Sequence, residues 1–312
     1  MAAAVACSAW GAEEVAYPLK PVHLVVPAAP GGGLDVLARV LANRLSAVWQ
    51  QQAVVDNKPG ANFIVGTDAA AKSAPDGATL LFVSSGALTV NPVVYPSLPY
   101  EPERDLIPII IVSANPFDLL VNQSLPVASF PEFLAYLRSH PGQLNHASNS
   151  ATTILASELL KSLAQVDYVD VNYKGAVLAA TSTAAGDTQF CFVDAATAIG
   201  ALRNGRVRVL AVTSPERYKL QPDIPTIAES GLPGYASTAW IVLLAPAKTP
   251  ASIVARVNGD VQRALEEPQL REKFEAVGNE VVGGTPQFAT ATLRADREKW
   301  ARLVKERNIR LQ

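Results

Sequence analysis

The chain has 312 residues, a length that suggests about two domains of ordinary size. Hydrophobic residues make up 49% of it and charged residues 17%, enough apolar material for buried α/β layers. The formal net charge is −2 with no basic run interleaved with aromatics, which argues against a nucleic-acid partner. No run of about 18 apolar residues is present to span a bilayer.

An apolar, alanine-rich leader opens the chain, residues 1–10, followed by Gly11-Ala12-Glu13-Glu14. It reads either as the hydrophobic part of a secretory signal peptide, with a small-x-small cut site at Ala9-Trp10-Gly11, or as a disordered tail. Removal of the leader takes Cys7 with it. Cys191, within Phe190-Cys191-Phe192-Val193, then stands alone and reads as a small buried hydrophobe with no disulfide partner.

Short apolar strands alternate with helical patterns along most of the chain, the mark of βαβ units. Residues 23–27 read as a buried strand and 28–33 as a turn. A helix follows, with apolar positions Leu34, Leu37, Val40, Leu41, Leu45 and Val48 at three- and four-residue steps. Strands are expected at 53–56 and 79–83, with a helix at 66–72 between them. Two apolar runs, 107–112 and 117–121, are separated by a link at Asn115-Pro116. Ser129 with Glu132 forms a capping box, and a helix is expected to about Arg138. Strand 145–147, helix 153–164, strand 169–171 and an Ala/Thr-rich helix 176–185 continue the rhythm. Strand 189–193, helix 195–203 and strand 207–213 follow. Thr226 with Glu229 is a second capping box, and Gly231 a stop. Strand 240–245, a long helix from Pro250 and a last helix from Pro286 to about Arg307 end the chain. Phe288, Trp300, Leu303 and Val304 are candidates for the buried face of that last helix.

Pro30-Gly31-Gly32-Gly33 lies between a strand and a helix. Glycines let a ligand approach the backbone, and the helix start offers free N–H groups, so the turn suits a small anion; a tight connection alone is the plainer alternative. A dinucleotide fingerprint fails here. Asp56 sits where a ribose-binding acid would, but Val36 occupies the position that needs Gly or Ala. Ala147-Ser148-Asn149-Ser150-Ala151-Thr152-Thr153 is a second anion-friendly turn, or only a helix cap. Ser84-Ser85-Gly86 and Tyr173-Lys174-Gly175 carry the same two readings. His23, His140 and His146 share no metal-ligand spacing, and no CxxC, HExxH or GxSxG motif is present. Asp35 reads as a group that orients the glycine turn rather than as a base. No enzyme activity, cofactor or metal is expected.

These turns resemble those of the substrate-binding receptors of tripartite tricarboxylate transporters, the Bug or TctC family. The likeness runs over nearly all of the chain after the leader. Its landmarks include Tyr17-Pro18-Leu19-Lys20-Pro21, Pro30-Gly31-Gly32-Gly33-Leu34-Asp35, Val54-Val55-Asp56-Asn57-Lys58-Pro59-Gly60-Ala61 and Ala74-Pro75-Asp76-Gly77. Further on come Tyr173-Lys174-Gly175, Pro225-Thr226-Ile227-Ala228-Glu229-Ser230-Gly231-Leu232-Pro233-Gly234 and Ala245-Pro246-Ala247-Lys248-Thr249-Pro250. The resemblance implies a type II periplasmic binding protein: two α/β lobes with a ligand cleft and a hinge between them. It implies a small carboxylate ligand, membrane transporter subunits as partners, a monomer, and a periplasmic location reached through a signal peptide. The expected division is 1–12 signal-peptide remnant, 13–113 first part of lobe 1, 114–219 lobe 2, and 220–312 second part of lobe 1. Carried over, Ala28, Ala29, Gly31, Gly32, Gly33 and Asp35 form the first-lobe turn. Ala147, Ser148, Asn149, Ser150 and Thr152 form the second, and Ser84 and Ser85 line the cleft. Asp194 stands one place after the family's usual acid. In the second turn His146 replaces a tyrosine and the family's glycines are missing. An α/β enzyme acting on a small anion, and a receptor-like protein with only a sensory or interaction role, remain the alternatives.

Overall fold

Residues 17–310 are described by the computed structural model; the expected leader, with Cys7, lies outside them. The first stretch comprises β1 (Val22–Val26), α1 (Gly33–Trp49), β2 (Ala53–Asn57), α2 (Ile64–Ala71) and β3 (Thr79–Ser84). Three one-turn helices, α3 (Gly86–Thr89), α4 (Asn91–Val94) and α5 (Pro102–Asp105), lead into β4 (Leu106–Asn122). Next come α6 (Phe130–Ser139), β5 (Asn145–Ser148), α7 (Ala151–Ala164), β6 (Val169–Asn172) and α8 (Ala176–Ala185). The chain continues through β7 (Phe190–Asp194), α9 (Ala195–Leu202), β8 (Val207–Val212) and β9 (Thr238–Pro246). It ends with α10 (Ala251–Glu266), α11 (Pro268–Glu275), β10 (Glu280–Gly283) and α12 (Pro286–Arg307).

These strands form two half-sheets that share β4. In the first, the order is β2-β1-β3-β9-β4-β10, with β1 parallel to both β2 and β3, and β9 antiparallel to its neighbours. In the second, β4 lies between β8 and β7, and β5 and β6 continue from β7. The two apolar runs expected as separate strands are thus one 17-residue strand. Pro116, which can donate no ladder hydrogen bond, sits where β4 changes partners: Pro116 is the last residue paired to β9 and Phe117 the first paired to β7. A proline is tolerated there because the ladder is being handed over.

Each half-sheet has its own core. Helix α1 buries Leu37, Leu41, Leu45 and Trp49, one per helical turn, against Leu24, Phe82 and Phe274. In the second core Phe133 meets Phe190 edge-on at 5.0 Å, and Leu155 and Leu160 of α7 pack beside them. Truncating a fully buried ring such as Phe133 to Ala removes about 3–5 kcal/mol of stability. Helix α12 packs on both half-sheets. Its Leu293 joins Leu88 and Leu244 on the first half-sheet, and its Trp300 and Leu303 join Phe130 and Leu155 on the second. Phe288, expected on the buried face, is 47% exposed because the face α12 buries runs through Ala289, Leu293, Trp300 and Leu303 and leaves Phe288 off it.

The capping box at Thr226 makes a turn but no helix. The Thr226 hydroxyl accepts from Glu229 N at 3.0 Å, yet Thr226 is bridged to Val212, and Gly231 at φ +112° with Pro233 beyond it ends the turn. Residues after Thr226 stay with the second half-sheet: Ile227, Leu232 and Tyr235 lie in its core, and the Tyr235 hydroxyl donates to the Ala156 carbonyl at 3.0 Å.

Asp118 of β4 is 1% exposed, and its carboxylate accepts one hydrogen bond, from the Gln221 amide at 3.0 Å. Burial pushes its pKa up to about 7 in spite of that bond, and the nearby charge of Asp194 adds to the rise. A folded pKa raised above the unfolded value means full stability at low pH and a loss as pH climbs through about 7. Asp118→Asn is therefore expected to raise the thermal midpoint little at pH 4, increasingly as pH rises to about 7, and by a constant amount from there to pH 8.5. An equal gain at both ends, followed by calorimetry, would refute a buried neutral carboxyl.

Candidate functional site

A cleft of about 550 Å³ lies where the two half-sheets meet. Its first wall is the turn before α1. Gly31 has φ +81°, a conformation that favours glycine, and a Cβ at Gly31 or Gly33 would project into open space. The turn is held from behind by Asp35, which is 2% exposed. One Asp35 oxygen accepts from Gly31 N at 2.8 Å and Arg39 Nε at 2.9 Å, and the other from Asn57 Nδ2 at 2.9 Å. Asn57 also donates to the Ala28 carbonyl at 3.1 Å, so the end of β2 fixes both ends of the turn. The Arg39 guanidinium, with the Gly31 and Asn57 hydrogen bonds, holds the Asp35 carboxyl at a pKa of about 2. The first hydrogen bond inside α1 runs from Val36 N to Gly32 O, so the amides of Gly33, Leu34 and Asp35 have no partner within the helix.

The opposite wall comes from α7 and α9. Ser150 caps α7, its hydroxyl accepting from Thr153 N at 3.2 Å while the Thr153 hydroxyl accepts from Ser150 N at 3.0 Å. Thr152 then faces the cleft, so close to the first half-sheet that a Cβ on Gly86 would lie 2.9 Å from its Oγ1. Asp194 caps α9 and spends both oxygens on Thr197, accepting from its backbone N at 2.9 Å and its hydroxyl at 2.8 Å. Ser84, Asn115 and Phe117 form the floor at the ends of β3 and in β4. Asn62, Phe63, Ile241 and Val277 close the sides.

Of the residues expected in the site, Gly31, Gly33, Ser84, Ser150, Thr152 and Asp194 come together around this cavity. Ala28, Ala29, Gly32 and Asp35 shape the first turn without lining it; the Ala29 carbonyl accepts from Gly32 N at 3.3 Å. Ser85 is 3% exposed and turned away, its hydroxyl accepting from Trp240 N at 3.1 Å. Ala147 and Ser148 are buried within β5, and Asn149 donates its amide to the Phe192 carbonyl at 2.9 Å. The second turn thus contributes its later half. His146 lies beneath it, fully buried beside Tyr168, Phe190 and Phe192. Its Nδ1 is 2.6 Å from Asp170, which Lys161 also contacts, and burial drives its pKa down toward the neutral ring. Sequence reasoning missed Asn62, Phe63, Asn115, Phe117, Ile241 and Val277. Only the first pair left a local signal, a run of positive φ over Ala61-Asn62-Phe63 after Pro59-Gly60.

Two half-sheets joined by a shared strand, with a cleft between helix N-termini, is the architecture of a periplasmic solute-binding protein. The chain belongs to the tripartite tricarboxylate transporter receptor family: residues 37–309 match that family's profile. The protein BugT of Bordetella pertussis is 33% identical over 299 residues, 95% of this chain and 92% of that protein. The structure of R. palustris Rpa4515 with adipate superposes with a TM-score of 0.81 at 33% identity, covering 93% of this chain and 97% of that one. MatC from Rhodopseudomonas palustris with bound malate gives 0.78 at 30% identity, covering 92% and 100%. No helix among the described residues is long and apolar enough to cross a membrane.

Asp35→Asn is expected to loosen the glycine turn, since the ionised carboxylate and its Arg39 partner are lost together. The loss should be about 1–3 kcal/mol at neutral pH, given the burial of Asp35. Because the folded pKa is depressed, the stability it supplies is present above pH 4 and fades as pH falls toward about 2. Chemical denaturation at pH 7 and pH 2.5 checks this: the difference between wild type and variant must shrink at the lower pH.

Proposed function

We propose that the cleft captures a small carboxylate and that the protein delivers it, unchanged, to the membrane subunits of a tripartite tricarboxylate-type transporter. The observation that carries this reading is the pair of α1 residues Gly33 and Leu34, whose amides have no partner within the helix and which line a cavity that α7 closes from the other side. An anion there is held by N–H groups and the positive helix end, with no need of an Arg. The adipate and malate bound by Rpa4515 and MatC support the same ligand class. Side chains that could do chemistry are committed elsewhere: Asp35 to Arg39 and Asn57, Asp194 to Thr197. Each chain carries a whole cleft, so it works as a monomer, exported to the periplasm with loss of residues 1–12.

The lobes divide at Pro116 on β4 and again at Thr238, where β9 begins, later than the expected return at residue 220. The packing of Ile227, Leu232 and Tyr235 in the second core supports the later boundary. Closure brings the lobes together beside the cleft, where the Tyr218 hydroxyl donates to the Gly278 carbonyl at 2.7 Å and Lys219 pairs with Glu280.

Isothermal titration of the chain from residue 13 with small carboxylates and their neutral amides tests the reading. Saturable binding of acids, none of amides, and recovery of the ligand unchanged are expected. Chemical conversion of the ligand, or amides binding as well as acids, would overturn it. Gly31→Val, which puts a branched side chain at φ +81°, should weaken binding about tenfold or more.

A further inference from the structure

The carboxylate reading leaves the rest of the ligand open, and the walls of the same cleft address it. Among the described residues no Lys, Arg or His lines the cavity, and Asp194 is its one charged side chain. Val36, Leu37, Phe63, Phe117, Ile241 and Val277 present hydrocarbon to it. Several of the polar neighbours are already engaged. The Asn62 amide donates to Asn91 Oδ1 at 2.9 Å, and the Thr197 hydroxyl to Asp194. Asn279 accepts from Ser113 at 3.2 Å and donates to the Val277 carbonyl at 3.1 Å. Asn115, in the floor, leaves its buried Oδ1 without a partner, and that acceptor gives a carboxylate no hydrogen bond.

Helix N-termini do not make up the deficit. The positive end of α9 is neutralised by Asp194 itself, which would repel an anion placed there. The Thr153 amide of α7 is taken by Ser150. Amides without a helical partner remain at the start of α1 and in the first two residues of α7, and these serve the carboxylate already proposed. A second carboxylate, farther along, would be stripped of water against Phe63, Ile241 and Val277 with no countercharge.

Resting on the carboxylate-capture reading above, we propose that this cleft selects a monocarboxylate with an apolar, ring-sized body, an aromatic or cyclic aliphatic acid, over di- and tricarboxylates. Apolar bodies gain from burial against this wall, and at about 550 Å³ the cavity falls in the range of small-molecule sites.

Titration calorimetry of the same chain with benzoate, cyclohexanecarboxylate, malate, adipate and citrate decides the point. The ring acids are expected to bind about tenfold or more tightly than any of the polyacids. Malate, adipate or citrate binding as tightly as the ring acids overturns the selectivity while leaving carboxylate capture standing. Failure of all five acids to bind overturns carboxylate capture and the selectivity with it. Val36→Arg, at a cleft position 38% exposed to solvent, supplies the missing cation: it should improve adipate or malate binding several-fold and not improve benzoate binding equally. An equal change for both classes counts against the proposal.

Discussion

Residues 106–122 run as one strand through both half-sheets, and this continuity sets the relation between the two cores. β4 pairs with β9 and β10 before Pro116 and with β7 and β8 after it. Neither half can be assembled without it, and neither can slide past the other without breaking its ladder. On the two-lobed reading proposed above, relative motion is taken up by backbone torsions at the two crossings, at Asn115–Phe117 and at Thr238. Asn115 and Phe117 also form part of the cleft floor, so the residues that would flex are residues that touch the cavity. Ligand that fills the cleft can then bias an open–closed balance directly, with no relay between site and hinge.

The cleft is built largely from backbone, and its side chains serve to hold that backbone. Asp35, Arg39 and Asn57 tie the first turn to β2; Ser150 with Thr153 and Asp194 with Thr197 set the starts of α7 and α9. Such a site tolerates many side chains around a fixed frame. On the reading proposed above, the glycine turn and the caps grip the anion, while Phe63, Ile241 and Val277 limit what may be attached to it.

Local signals in the sequence were read correctly where local physics decides. The apolar steps of α1, the Ser129 cap of α6 and the strand–Gly–helix order around Gly31 all lie within a few residues of the groups they involve. Legibility failed where distant segments compete. Pro116 looks like a break until its place between two ladders is known, and Thr226 looks like a helix start until Val212 engages it. In the second turn, composition promised four polar ligands from Ser148 to Thr152, but β5 and the capping box consume the first ones. Ile241 and Val277 could not be foreseen, because they come from β9 and the α11–β10 turn and meet the cleft only through tertiary packing.

Strand order also governs when the molecule can fold. β9, residues 238–246, fills the centre of the first half-sheet between β3 and β4, although it follows them by more than a hundred residues of chain. Until it is synthesised, β3 and β4 face each other across an unfilled gap, and the first core has no middle strand. α12, the last element made, packs on both half-sheets. The first half-sheet therefore stays incomplete until residues 238–246 are made, and closing it carries the loop-closure cost of a long-range pairing.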